Sequence, residues 1–204
     1  MTPRRERIEQ AVRHLRRADP VLKAVIRQVG PCQMRLRRDR FVTLVRSIVG
    51  QQVYGHAARS IFARLNEAVA PARLSAESLS GLSIESLRSV GLSRQKAAYL
   101  HDLSAKTLSG EVRLNRLGRL PDEGVIAELT QVKGIGRWTA EMLLIFSLGR
   151  LDVLPCDDLG VRGALRNLYK LDELPNRKTC ETLAQPWRPY ASIASWYCWR
   201  SHDL

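Results

Sequence analysis

The chain has 204 residues and carries 33 lysines and arginines against 20 acidic groups, a net charge of +13. At 45% hydrophobic residues it can bury a real core, but no apolar run reaches the roughly 18 residues that a membrane-spanning helix needs. The cationic excess points to a polyanionic partner, for which nucleic-acid phosphate is the commonest case.

Met1-Thr2-Pro3-Arg4-Arg5-Glu6-Arg7 has positive charge with no apolar stretch behind it. No secretory signal and no membrane association are therefore expected, and a cytoplasmic, nucleoid-associated location follows as the expectation. Cys32, Cys156, Cys180 and Cys198 are scattered without a C-x-x-C pair. They read as reduced thiols, mostly in the core, rather than a zinc knuckle or a disulfide framework.

Helical periodicity runs through nearly the whole chain. Phe41, Leu44, Val45, Ile48 and Val49 recur at three- and four-residue steps, the spacing of one buried helix face. Ile61, Phe62 and Leu65 continue the pattern after a break around Gly50 and Gly55. Short helices are predicted over 76–82 and 84–90, each with a serine in front as N-cap. A longer one is predicted over 94–108. Residues 114–121 read as a loop, and Pro121-Asp122-Glu123 as a helix start. Another helix is predicted over 137–148, and one more opens at Asp157 or Asp158. Residues 180–185 and 190–201 form a helical, aromatic tail. Residues 150–154 are the one short candidate for extended chain, and nothing demands a sheet.

Residues 129–140, Leu-Thr-Gln-Val-Lys-Gly-Ile-Gly-Arg-Trp-Thr-Ala, read as helix, Gly-Ile-Gly turn, helix. The glycines permit a tight turn. The amides that open the second helix carry partial positive charge and suit a phosphate. Backbone amides read no base sequence. The plain alternative is a tight helix-helix turn with only a packing role.

With its neighbours the segment says more. Gly149-Arg150-Leu151-Asp152-Val153-Leu154-Pro155-Cys156-Asp157-Asp158-Leu159-Gly160-Val161-Arg162 follows it. Ser47-Ile48-Val49-Gly50-Gln51-Gln52-Val53 and Gly91-Leu92-Ser93-Arg94-Gln95-Lys96-Ala97 precede it, and Trp187-Arg188-Pro189-Tyr190 with Trp196-Tyr197-Cys198-Trp199-Arg200 close the chain. As a set, from about Phe41 to the C-terminus, these resemble the helix-hairpin-helix DNA glycosylase superfamily, in its alkylpurine (3-methyladenine DNA glycosylase II) branch.

The resemblance implies an all-α fold of two helical lobes with a DNA-binding cleft between them. Residues 39–155 would form the middle lobe with the hairpin, and residues 1–38 plus 156–204 the second lobe. It implies a monomeric enzyme that flips alkylated purines from duplex DNA and excises them with water as nucleophile. Asp158 is then the catalytic carboxylate, facing the cation that develops on the sugar, and Asp157 fits as the N-cap of the same helix. Some superfamily members carry a lysine, which forms a Schiff base with the sugar, at the position of Trp138. The indole here implies a hydrolase without a lyase step. The four-cysteine spacing of the iron–sulfur members is missing, so no cluster is expected.

Trp138 and Trp196 are the stacking candidates for a flat cationic base, with Tyr197 beside them. Trp187 and Trp199 read as core. Gln52 matches the residue that fills the gap left by the flipped base. Tyr54 stands where the family usually has a small serine and is placed in the base pocket or against the minor groove; His56 reads as an exposed or satisfied histidine. DNA-backbone contacts are assigned to Gly134, Gly136, Arg137, Arg94 and Lys96. A sodium or potassium ion on the carbonyls of Thr130, Val132 and Gly134 is the one cofactor the resemblance suggests. Two rivals stand beside this reading: a non-catalytic hairpin DNA-binding protein, and a glycosylase for a neutral damaged or mismatched base.

Overall fold

Short polar side chains set where the helices begin. Asp19, Asp39, Ser75, Ser83, Ser93, Asp158 and Asn176 each accept a hydrogen bond from a first-turn backbone N–H of the helix they precede. Each bond satisfies a donor that helix geometry leaves open. The computed structural model describes residues 4–53 and 55–204, and every regular element among them is helical. The chain divides into two compact units, Arg37–Leu148 and a terminal unit made from the residues up to Leu36 with Gly149–Leu204.

In the unit Arg37–Leu148, α3 (Arg40–Gly50) buries Phe41, Leu44, Val45, Ile48 and Val49, the face that the periodicity predicts. The helices before it, α1 (Arg4–Ala18) and α2 (Pro20–Val29), belong to the terminal unit. Beside α3 lies α4 (Gly55–Ala68), contributing Ile61, Phe62 and Leu65. The Arg46 guanidinium sits 3.6 Å from the centre of the Phe62 ring, a cation–π contact. Two short helices, α5 (Ala76–Ser80) and α6 (Ile84–Ser89), pack on α7 (Arg94–Leu108). Residues 114–121, expected to be a loop, instead form a 3-10 helix over Leu114–Arg119, because Leu117 is drawn fully into the core. Pro121 then caps α8 (Asp122–Leu129), and α9 (Arg137–Leu143) runs into a π-helical turn over Leu144–Leu148.

The terminal unit holds α1 (Arg4–Ala18), α2 (Pro20–Val29), α10 (Leu159–Leu168), α11 (Arg177–Leu183) and α12 (Ala191–Arg200). Its hub is Asp19, a buried carboxylate between α1 and α2. Oδ1 accepts from the amides of Val21 (2.8 Å) and Leu22 (3.1 Å), while Oδ2 accepts from Trp187 Nε1 (2.8 Å) and from the Tyr169 hydroxyl. Burial and the Asp19 carboxylate push the Tyr169 phenol well above its usual pKa, so it remains a donor. The core reading of Trp187 agrees with its full burial. Asp19→Ala removes a cap and strands the buried Trp187 and half-buried Tyr169 donors, so we expect about 3 kcal/mol of lost stability. Thermal unfolding should show this as a fall of roughly 6–12 °C; a shift under about 2 °C would contradict the hub role.

The boundary between the units differs from the expected one. Residues 149–155, expected in the middle unit, belong to the terminal one, and residues 37–38, expected in the terminal one, belong to Arg37–Leu148. Residues 149–155 are stitched to the start of α12. Ser192 Oγ accepts from Val153 N (2.9 Å), Ser192 N donates to Leu151 O (3.0 Å), and Arg188 pairs with Asp152 at 3.1 Å. The candidate extended stretch 150–154 is thereby held by side chains and a helix end and forms no strand.

Candidate active site

The helix-turn-helix segment is held from several sides within its own unit. Val132 and Ile135 are buried, and Ile135 N donates to Val132 O at 3.1 Å, closing the turn. Asp102 of α7 accepts from Lys133 N (2.8 Å), and Lys106 Nζ donates to Gln131 O (2.6 Å). Gln51, just past α3, donates from Nε2 to Gly134 O at 2.8 Å. Gly134 has φ +80°, and a Cβ there would lie 2.1 Å from the Tyr99 ring. Glycine is needed at 134 for both the backbone and the space. Gly136 is the cap of α9 with no side-chain bond to the first-turn amides, and a Cβ there would meet nothing within 4 Å.

In the terminal unit, Asp158 is the cap of α10 and is 8% exposed. Its Oδ1 accepts from Val161 N and from Trp199 Nε1, each at 2.8 Å. These two bonds fix the carboxylate's position and orientation. Gly160 makes room for the indole, since a Cβ at this glycine would come within 2.9 Å of Trp199 Cδ1 and 3.0 Å of Asp158 Oδ1. The His202 ring closes the other side through Nε2 and Gly160 O, 2.8 Å apart. A buried carboxylate held in this way can stabilise a cation or orient a water.

Two sequence assignments change here. Asp157 does not cap α10. It is exposed and paired with Arg177 at 2.6 Å, because Asp158 is one residue closer to the first-turn amides. Trp199 is not simply core: it is half-buried, and its indole N–H holds Asp158. Its spacing of three residues from Trp196 places the two on neighbouring positions of α12, a signal present in the sequence.

The aromatic candidates separate. Trp138, in α9, is 37% exposed. Trp196 is half-buried and meets Tyr197 edge-on, with centroids 5.0 Å apart. Tyr197, expected beside the base, is fully buried, and its hydroxyl donates to Gly30 O at 2.9 Å. It therefore backs Trp196 rather than presenting a face of its own. The Tyr54 assignment lies outside the described residues. Gln52 is exposed at φ +54°, a left-handed conformation that costs a non-glycine residue about 1 kcal/mol. His56 is exposed, in line with its plain reading.

The predicted backbone-contact cations also differ from one another. Arg94 is exposed at the start of α7. Lys96 points onto the chain, donating from Nζ to Val49 O (2.8 Å) and Gln51 O (2.6 Å). It caps the end of α3, and burial lowers its pKa. Arg137 makes a two-pronged pair with Glu123 (2.9 and 2.5 Å) and lies 3.8 Å from Glu141. A phosphate at Arg137 has to compete with those carboxylates. Val132 O and Gly134 O each already accept one N–H, which leaves a second lone pair on each for a cation. Among the described residues no three His, Cys, Asp or Glu side chains gather in a way that could hold a metal ion. Among the described residues no disulfide forms; Cys156, Cys180 and Cys198 are buried and Cys32 is half-buried. Among the described residues no helix is long and apolar enough to cross a membrane.

Comparison with known proteins matches residues 45–189 to the family model described as the HhH-GPD superfamily base excision DNA repair protein. The chain is 34% identical over 196 residues to DNA-3-methyladenine glycosylase 1 of Schizosaccharomyces pombe, covering 94% of this chain and 86% of that protein. It superposes on a structure of the S. pombe 3-methyladenine DNA glycosylase Mag1 in complex with abasic DNA, with TM-score 0.86, 33% identity, and coverage of 96% and 97%. It also superposes on a DNA-3-methyladenine glycosidase from Bacillus halodurans, with TM-score 0.81, 35% identity, and coverage of 94% and 88%.

Proposed function

The chain belongs to the HhH-GPD superfamily of base excision DNA repair proteins, and from that membership we propose that it excises alkylated purines from duplex DNA by hydrolysing the N-glycosidic bond. The observation that carries the mechanism is the buried Asp158 carboxylate, held at the head of α10 by Val161 N and Trp199 Nε1.

The bond from sugar C1′ to the purine nitrogen breaks, and its electron pair leaves with the base. A 3- or 7-alkylated purine is cationic before the step and departs neutral, so it needs little acid assistance. Positive charge builds on the sugar, and the Asp158 carboxylate stabilises it. Water adds to C1′ and gives up a proton, with Asp158 placed to orient it or accept that proton. The products are a free base and an abasic site. Trp138 and Trp196 supply indole faces for the flat cation. An indole forms no Schiff base, so no strand-cleaving step follows at Trp138. Gln52 enters the gap left in the duplex.

The Gly134–Gly136 turn and the amides of α9 meet the DNA backbone, with Arg94 and Arg137 as charged support. A monovalent cation on the carbonyls of Thr130, Val132 and Gly134 would add positive charge where a phosphate approaches. The protein acts as a monomer on chromosomal DNA.

The test is base release from duplexes carrying 3-methyladenine, 7-methylguanine, hypoxanthine or uracil. Release of the two methylated purines ahead of the others is the expected result. Preference for hypoxanthine or uracil would favour a neutral-base enzyme, and no release of any base would favour a non-catalytic DNA-binding protein.

Trp199 is a positioning residue in this scheme. Trp199→Phe keeps most of the ring and deletes the donor to Asp158. Loss of a hydrogen bond to a charged group predicts a 10- to 100-fold lower single-turnover rate. DNA affinity should stay near wild type, and the melting temperature should fall by only a few degrees. An unchanged rate, or equal losses in rate and affinity, would remove Trp199 from the chemistry.

A further inference from the structure

The terminal unit also carries a groove that the proposed chemistry does not use. It encloses about 900 Å³ between α1 and the stretch running from the end of α2 to Arg35. Ile8, Ile26 and Met34 are buried in its floor. Its lining includes six arginines, Arg4, Arg5, Arg13, Arg16, Arg27 and Arg35, against one acid, Glu9. Glu9 pairs with Arg5 at 3.1 Å. Arg13, Arg16, Arg27 and Arg35 are exposed and make no ion pair or hydrogen bond among the described residues. Arg4 Nη1 donates to Met34 O at 2.9 Å, while its Nη2 is buried without a hydrogen-bond partner.

Like charges gathered without counter-charges repel one another, and an anion in their midst reverses the sign of that interaction. The shape of the cluster indicates which anion. Arg5 and Arg16 are 11 residues apart on α1, roughly 16 Å along the helix. At roughly 3.4 Å of axis per charge on one DNA strand, that length spans about five nucleotides, more than a single phosphate ion fills. Guanidinium forks suit phosphate oxygens, and the apolar floor lowers the local dielectric and strengthens each contact.

We propose that this groove is a second DNA site, which grips the phosphodiester backbone without reading sequence and keeps the enzyme on undamaged duplex. The proposal rests on the DNA-repair reading only for the identity of the polyanion. Its test uses undamaged DNA, so failure of base release and failure of the groove are separate results.

Arg13→Gln/Arg16→Gln removes two groove charges. Arg7→Gln/Arg17→Gln removes two exposed charges from the same helix outside the lining. Affinity for undamaged duplex is measured across a salt series for both pairs. The groove pair should lose about 1 to 2 from the slope of log K against log salt, and the control pair much less. Cys32 lines the groove and is half-buried while the other three thiols are buried, so alkylation of Cys32 reports on groove access. Saturating duplex at low salt should slow that alkylation several-fold in the wild-type protein. Equal slope losses in the two pairs, or Cys32 alkylated at the same rate with and without DNA, would overturn the proposal.

Discussion

Asp158→Asn should lower the single-turnover rate of base release by three orders of magnitude or more, about 4 kcal/mol of transition-state stabilisation, with DNA affinity retained. The choice of asparagine follows from the geometry. Asp158 Oδ1 both caps α10 and accepts from Trp199 Nε1. An asparagine carbonyl accepts the same two bonds, while the charge is lost and an NH2 donor stands where Oδ2 was. Asp158→Ala would remove the cap as well, at about 1 kcal/mol, and take away the acceptor of the half-buried Trp199 indole N–H, so a lost rate there has two causes. A retained rate in the asparagine variant would sink the catalytic assignment. Equal loss of affinity would mean that the carboxylate serves the DNA interface instead.

Gly134→Ala carries the second large effect. The new methyl would sit 2.1 Å from Tyr99 Cδ2 on a backbone at φ +80°. The half-buried Tyr99 must move, and Gln95, which donates to its hydroxyl at 2.5 Å, must move with it. Together the strain and the clash predict about 2–4 kcal/mol of lost stability. Thermal unfolding should register this as roughly 5–15 °C, alongside weaker binding to every DNA sequence. Gly136→Ala makes the useful contrast. Its backbone, φ −95° and ψ 177°, is open to any residue, and nothing lies within 4 Å of the new Cβ. Stability should change by less than about 0.5 kcal/mol. Any loss of affinity in that variant reports a methyl placed between the α9 amides and a phosphate. Wild-type affinity in Gly136→Ala would contradict close approach of DNA at that cap.

The Gly-Ile-Gly turn was legible because its constraints are local. A tight reversal needs glycine, and Ile135 between the glycines has nowhere to go but inward. What pins the turn was not legible. Gln51, Tyr99, Asp102 and Lys106 approach from α7 and the end of α3, and no short motif records contacts over such separations. The same limit explains Lys96. The resemblance makes it a phosphate candidate, and folding brings its Nζ against Val49 O and Gln51 O at the end of α3. The ammonium thus supports a helix end, a role that no local pattern announces.

Helix periodicity, serine and aspartate caps, the glycine turn and net charge come from each residue and its near neighbours, so the order of residues by itself determined the all-helical class and a helix start at the Asp157-Asp158 pair. Only the tertiary structure decided what each polar group faces. It assigned the cap to Asp158 and left Asp157 to Arg177. It brought the Trp199 indole N–H onto Asp158, and sent Tyr197 into the core with its hydroxyl on Gly30 O. The physical reason is that a hydrogen bond or ion pair is set by distances of about 3 Å, and folding creates those distances between residues tens of positions apart.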